Sequence, residues 1–224
     1  MNKKYIKISI VLNLIIVILT LFALITMFFG IRYMGDDIPL DTSGIGMFRL
    51  YTVDSNLFMG IVSLIFALYE IKLLKGSIKE IPKILYILKL MATVGVTLTF
   101  LTVFGYLGFM VNGGVIVLLK NSNLFFHLIT PLISIITFIL LEKTNKLSFK
   151  YTFIGTITTI IYSIFYLTNV LVHMENGKVN PIYDWYWFVQ GGINQAFFVL
   201  PIMLIITFII SLILWYFNKR GYKH

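Results

Sequence analysis

Apolar residues in this chain fall into six long runs separated by short polar connections, at roughly 6–31, 48–73, 84–111, 122–142, 149–173 and 195–217. A helix needs about 20 predominantly apolar residues to cross a bilayer. Each run meets that length, so the pattern predicts six membrane-spanning helices and no soluble domain. The first run follows Lys3 and Lys4. It is too long for the apolar core of a signal peptide and lacks a small-residue cleavage site, so it is expected to stay as the first span.

Composition leads to the same class. With 59% hydrophobic and 12% charged residues, the chain has more apolar surface than a water-exposed fold of this size can hide. The expected fold is therefore all-α, a single domain over residues 1–224 built as a bundle of six transmembrane helices. The chain has no cysteine, which excludes disulfides, thiolate chemistry and cysteine-ligated metal.

The net charge of +9 has a topological explanation. Lys3, Lys4 and Lys7 precede the first run; Lys72, Lys75, Lys79, Lys83 and Lys89 surround the second connection; Lys143, Lys146 and Lys150 fill the fourth; Lys219, Arg220 and Lys223 end the chain. That places fourteen of the eighteen basic residues on one face. Basic residues collect on the cytoplasmic side, so both termini are expected there. The opposite face carries Arg32, Arg49, Lys120 and Lys178 with Asp36, Asp37, Asp41, Asp54, Glu175 and Asp184. The basic excess matches anionic lipid headgroups and gives no case for nucleic acid.

Polar residues inside the runs single out candidate chemistry. The first run carries one strongly polar residue, Asn13, and reads as an anchor. The second opens with Tyr-Thr-Val-Asp-Ser-Asn at 51–56. Thr52, Ser55 and Asn56 share a helix face, and Asp54 points roughly the other way; these side chains either cap the helix and bond backbone carbonyls or line a site. The third run is threaded by Thr93, Gly95, Thr97, Thr99, Thr102 and Gly105, a pattern of close helix packing, with Tyr106 within reach of the outer end. In the fourth, at 1.5 Å per residue, His127 lies about 6 to 9 Å from the outer end, the depth of Thr52 at about 8 Å. Pro131 cannot donate to the His127 carbonyl four residues back, and a freed carbonyl is tolerated in a membrane only where protein or water covers it. His127 is therefore expected to face the bundle interior near Asn123. The fifth run carries Thr158, Tyr162, Tyr166, Asn169 and His173 in one helical stripe, read as a polar wall. The loop Glu175 to Trp187 is aromatic, as suits a membrane interface, and its Asp184 is a candidate to orient an imidazole.

A threonine hydroxyl is a weak nucleophile until a neighbouring base takes its proton, and His127 has the side chain suited to that task near neutral pH. A Thr52/His127 pair open to lipid would attack the ester carbonyl of an acyl chain. Asn56, Asn123 or a tyrosine hydroxyl would donate to the oxyanion. The same polar cavity would also suit a protein that binds or transports lipid without covalent chemistry. A metal site formed by His127, His173 and Asp54 or Asp184 is a further alternative, although these residues lack any ligand-pair spacing.

Three stretches taken in order, Phe48-Arg-Leu-Tyr-Thr-Val-Asp-Ser-Asn56, His127-Leu-Ile-Thr-Pro131 and Asn180-Pro-Ile-Tyr-Asp-Trp185, resemble the androgen-induced-gene family of intramembrane threonine hydrolases, including its bacterial members. The resemblance implies a nucleophilic threonine at Thr52 and a catalytic histidine at His127. It further implies hydrolysis of lipid esters such as fatty acid esters of hydroxy fatty acids; the chain is expected in a bacterial cell membrane, and no cofactor or metal is expected. An acyltransferase that passes the chain to another lipid hydroxyl would use the same pair.

Overall fold

The computed structural model describes residues 3–35 and 42–220. Asp36, Asp37, Asp41 and Lys223, counted above in the charge asymmetry, lie outside the described residues. Among these, six helices are long and apolar enough to cross a membrane: α1 Lys3–Phe28, α2 Tyr51–Leu74, α3 Lys83–Met110, α4 Ser122–Leu141, α5 Tyr151–Val172 and α6 Ile193–Lys219. The chain is a six-helix membrane-spanning bundle. Each helix lies within a few residues of its apolar run, because lipid leaves a backbone polar group no partner outside its own helix.

One helix is central. In α3, 67% of the apolar window is buried against protein, compared with 22% to 39% in the others. It packs on α2, α4, α5 and α6, and α1 closes against α2 and α4. The small-residue stripe explains why α3 holds this place. Thr93 and Thr97 return their hydroxyls to the carbonyls of Lys89 and Thr93, at 2.7 and 2.6 Å. These side chains therefore add little bulk and leave no unpaired donor. At Gly95 a methyl group would stand 3.2 Å from both Ser55 Cβ and the Tyr51 hydroxyl, so α2 could not approach as closely.

Helices α2 and α5 do not close fully. Between them runs a groove of about 440 Å³ whose floor is Met91 and Gly95 of α3 and whose walls include Phe58, Ile161 and Phe165. Ile161 and Phe165 are exposed, so the groove opens sideways, where lipid lies. At its floor, beside Gly95, the Tyr51 hydroxyl bonds those of Thr158 and Thr159, both at 3.1 Å.

The ends of the bundle differ. Both described termini lie at the basic end, where Lys3 and Lys143 line one cleft and Lys143 Nζ donates to the Arg220 carbonyl at 2.7 Å. The opposite end is covered by the loop between α5 and α6. There Asp184 accepts from the Tyr166 hydroxyl and from the Phe188 and Val189 amides, and Arg49 lies over the Trp185 ring.

Two expectations need correction here. Lys89 does not belong to the second connection; it is fully buried inside the bundle and faces Glu142 at 3.4 Å. Nor is α1 a plain anchor, since its Asn13 donates to Glu142 Oε1 at 2.8 Å and accepts from Lys89. A lysine six residues into an apolar run reads as a flank by the positive-inside pattern, but its long side chain can as readily turn inward when a carboxylate waits there.

Candidate functional site

The candidate site is built on the first turn of α2. A 3₁₀ turn, Gly44–Arg49, leads in, and Leu50 is extended before the helix starts. The first amides of a helix have no partner within it. The Tyr51 amide finds one in the loop, donating to the Tyr186 hydroxyl at 2.9 Å. That hydroxyl and the Thr52 side chain line the same small cavity. Burial pushes the Tyr186 phenol up to about 12, so it is a neutral donor at physiological pH.

His127 approaches from α4 through a local distortion. Residues Phe125–Ile129 form a π-helical turn, in which the Thr130 amide reaches back five residues to Phe125. The extra residue accommodates the bond that Pro131 cannot make. The Asn56 side chain then joins the two helices, donating to the carbonyls of Thr52 at 2.8 Å and Phe126 at 3.1 Å. Thr52 and His127, both buried, line one cavity of about 20 Å³ together with Asn123, Tyr186, Leu50 and Leu107. That is room for about one water molecule or a single reacting group. His127 Nδ1 and Asn56 Oδ1 are buried with no hydrogen-bond partner. Buried polar atoms are seldom left so, and His127 lines the cavity, where a polar ligand atom would be held.

Thr52 also faces a second space. On the other side it lines an apolar pocket of about 50 Å³ with Leu98, Val103, Leu107, Leu200 and Met203. Tyr51 and Tyr162 line both this pocket and the lateral groove, so the two are separated by those rings and the Tyr51 hydroxyl bonds.

The other expected site residues divide. Asn123 lines the cavity. Ser55 bonds the Thr52 carbonyl at 3.1 Å and faces the groove, so the carbonyl-bonding role is the one observed. Tyr162 donates to the Arg49 carbonyl at 2.6 Å and accepts from Trp185 at 3.0 Å, and Tyr166 lines the apolar pocket. Tyr106 donates to the Trp187 carbonyl at 3.3 Å, outside the cavity. Asn169 and His173 stand apart as well: His173 bonds the Asn169 carbonyl at 2.8 Å and stacks on Tyr183 at 3.6 Å. The α5 stripe is thus not one cavity wall. Asp184 does not orient His127, because both of its oxygens are used within the loop and by Tyr166. Among the described residues no three His, Cys, Asp or Glu side chains cluster, so the set His127, His173 and Asp54 or Asp184 is not assembled.

Tyr186 is the residue that the sequence pattern concealed. In a loop with Tyr183, Trp185 and Trp187 it reads as one more interfacial aromatic. The only cue is its place two residues after a buried Asp184.

No family model, curated protein or solved structure matches the chain.

Proposed function

We propose that the chain is an intramembrane lipid ester hydrolase of the androgen-induced-gene type, with the Thr52/His127 cavity in the outer leaflet and both termini in the cytoplasm. The observation that carries this reading is the convergence of Thr52, His127 and Tyr186, from two helices and a loop, on a single small buried cavity. The acyl part of the substrate would occupy the apolar pocket beside Thr52, and entry would be from the lateral groove past Tyr51. Thr52 Oγ1 attacks the ester carbonyl as His127 takes the hydroxyl proton. The Tyr186 hydroxyl donates to the oxyanion. The ester C–O bond then breaks, and the alcohol leaves with the proton from His127. Water, activated by the same imidazole, releases the fatty acid and restores the Thr52 hydroxyl.

The test is mass-spectrometric mapping of a fluorophosphonate adduct. The adduct is expected on Thr52, absent in Thr52→Ala and strongly reduced in His127→Ala. Labelling at another residue, or labelling indifferent to both changes, removes the enzymatic reading. The groove would then be that of a protein that binds lipid without cleaving it.

A further inference from the structure

A second polar centre lies toward the basic end, formed by side chains of α1, α2 and α3 with Glu142 just beyond α4. Ser9, Asn13, Ser63, Glu70, Lys89 and Glu142 are all fully buried. Lys89 Nζ donates to Asn13 Oδ1 and to Ser63 at 2.9 Å, and faces Glu142 Oε1 at 3.4 Å. Asn13 Nδ2 bridges the carboxylates, at 2.8 Å from Glu142 Oε1 and 3.5 Å from Glu70 Oε2. Glu70 Oε1 and Glu142 Oε2 are buried with no partner.

The charges do not balance as they stand. One ammonium faces two carboxyl groups, and an unmatched charge inside a bundle is costlier than a bound proton. Glu142 faces Lys89 directly, whereas Glu70 is bonded by the neutral amide of Asn13 and lies beside Ser9, with Lys89 farther off. The proton therefore belongs on Glu70. A metal or alkali cation is disfavoured because the Lys89 ammonium already holds the cation position.

The centre also has an approach. A cleft of about 280 Å³ at the basic end is lined by Lys3, Lys79, Glu80, Tyr86, Lys143 and Lys146. It reaches Leu73, Leu74, Tyr86 and Lys143, and each of these lies within about one helical turn of Glu70, Lys89 or Glu142. Its mouth is held by Lys146, 2.9 Å from Glu80. A proton can be relayed along water in such a cleft without any cation entering the site.

We propose that Glu70, Glu142, Asn13 and Lys89 form an intramembrane proton-binding site that loads and releases one proton through the basic-end cleft. The site is separate from the Thr52 cavity and does not depend on any hydrolase activity. Infrared spectroscopy of the full chain in lipid vesicles tests it. The expected result is a protonated-carboxyl absorption at neutral pH that shifts on transfer to D2O and disappears on alkaline titration. Glu70→Gln removes it. Glu142→Gln also removes it, because Glu70 then balances Lys89 as a carboxylate. Lys89→Met about doubles it, since both carboxyls are then neutral. Asp54→Asn leaves it unchanged. A wild-type protein with no such absorption, or with one that does not shift in D2O, overturns the proposal. So does an absorption that survives either glutamine substitution, a pair of variants that keep the size and shape of the neutral acid.

Discussion

The two polar centres of the bundle occupy opposite halves and are built on opposite plans. In the outer one, neutral hydroxyl, amide and imidazole groups surround space. In the inner one, charged groups are bonded mainly to one another and no side chain is exposed. The outer centre hangs from a helix start, a π turn and a loop; the inner one is held by helix interiors and a helix end. A centre that must admit a reacting group is assembled from irregular pieces that leave gaps. A centre that must hold charge in a membrane needs continuous helices to surround it.

That contrast can be broken by removing one member from each side. The largest effect is expected from Lys89→Ala, which removes the ammonium from a buried carboxylate and costs about 3–5 kcal/mol of stability. It should show as a large fall in thermal unfolding temperature in detergent, with Lys89→Met/Glu142→Leu restoring much of the loss. If Lys89→Ala unfolds like the wild type, the inner centre does not brace the bundle.

At the outer centre the loss should fall on chemistry. Tyr186→Phe removes the hydroxyl beside Thr52, and a single oxyanion donor contributes roughly 10²–10³ in rate. Fluorophosphonate labelling of Thr52 should slow by that order while the unfolding temperature changes little. A labelling rate equal to the wild type would exclude Tyr186 from the reaction.

The smallest effect is expected from Asn56→Leu. It removes two bonds, to the Thr52 and Phe126 carbonyls, each contributing about 1 kcal/mol. Stability should drop modestly and Thr52 labelling should slow with it, because the α2–α4 contact and the site share this one side chain. An unfolding temperature lowered without any change in labelling would separate the two.

The sequence made the spans legible because a bilayer imposes both length and apolarity on a helix. Thr52 and His127 stood out because polar residues inside a span are few, but the counted depth missed for Thr52, since α2 starts at Tyr51 and holds it in the first turn. Three features were concealed, each by a rule that suits its neighbours. Lys89 looked like one of the cytoplasmic lysines, Tyr186 like an interfacial aromatic, and Glu142 like the polar end of a run. Asp184 misled for the opposite reason: a lone carboxylate near an imidazole candidate invited a catalytic role, but its oxygens close the loop on itself. The direction in which a side chain turns is set by its tertiary partners, and one-dimensional spacing carries little of that information.

The widened turn at Phe125–Ile129 also sets rotational phase. An ordinary α-helical residue advances a helix by about 100°, so the additional member of this turn lets the outer segment of α4 face differently from the segment beyond Thr130. Deleting one residue between Phe125 and Ile129 would remove that offset. The imidazole would swing away from the threonine while the lower half of the helix kept its seat against α1 and α3.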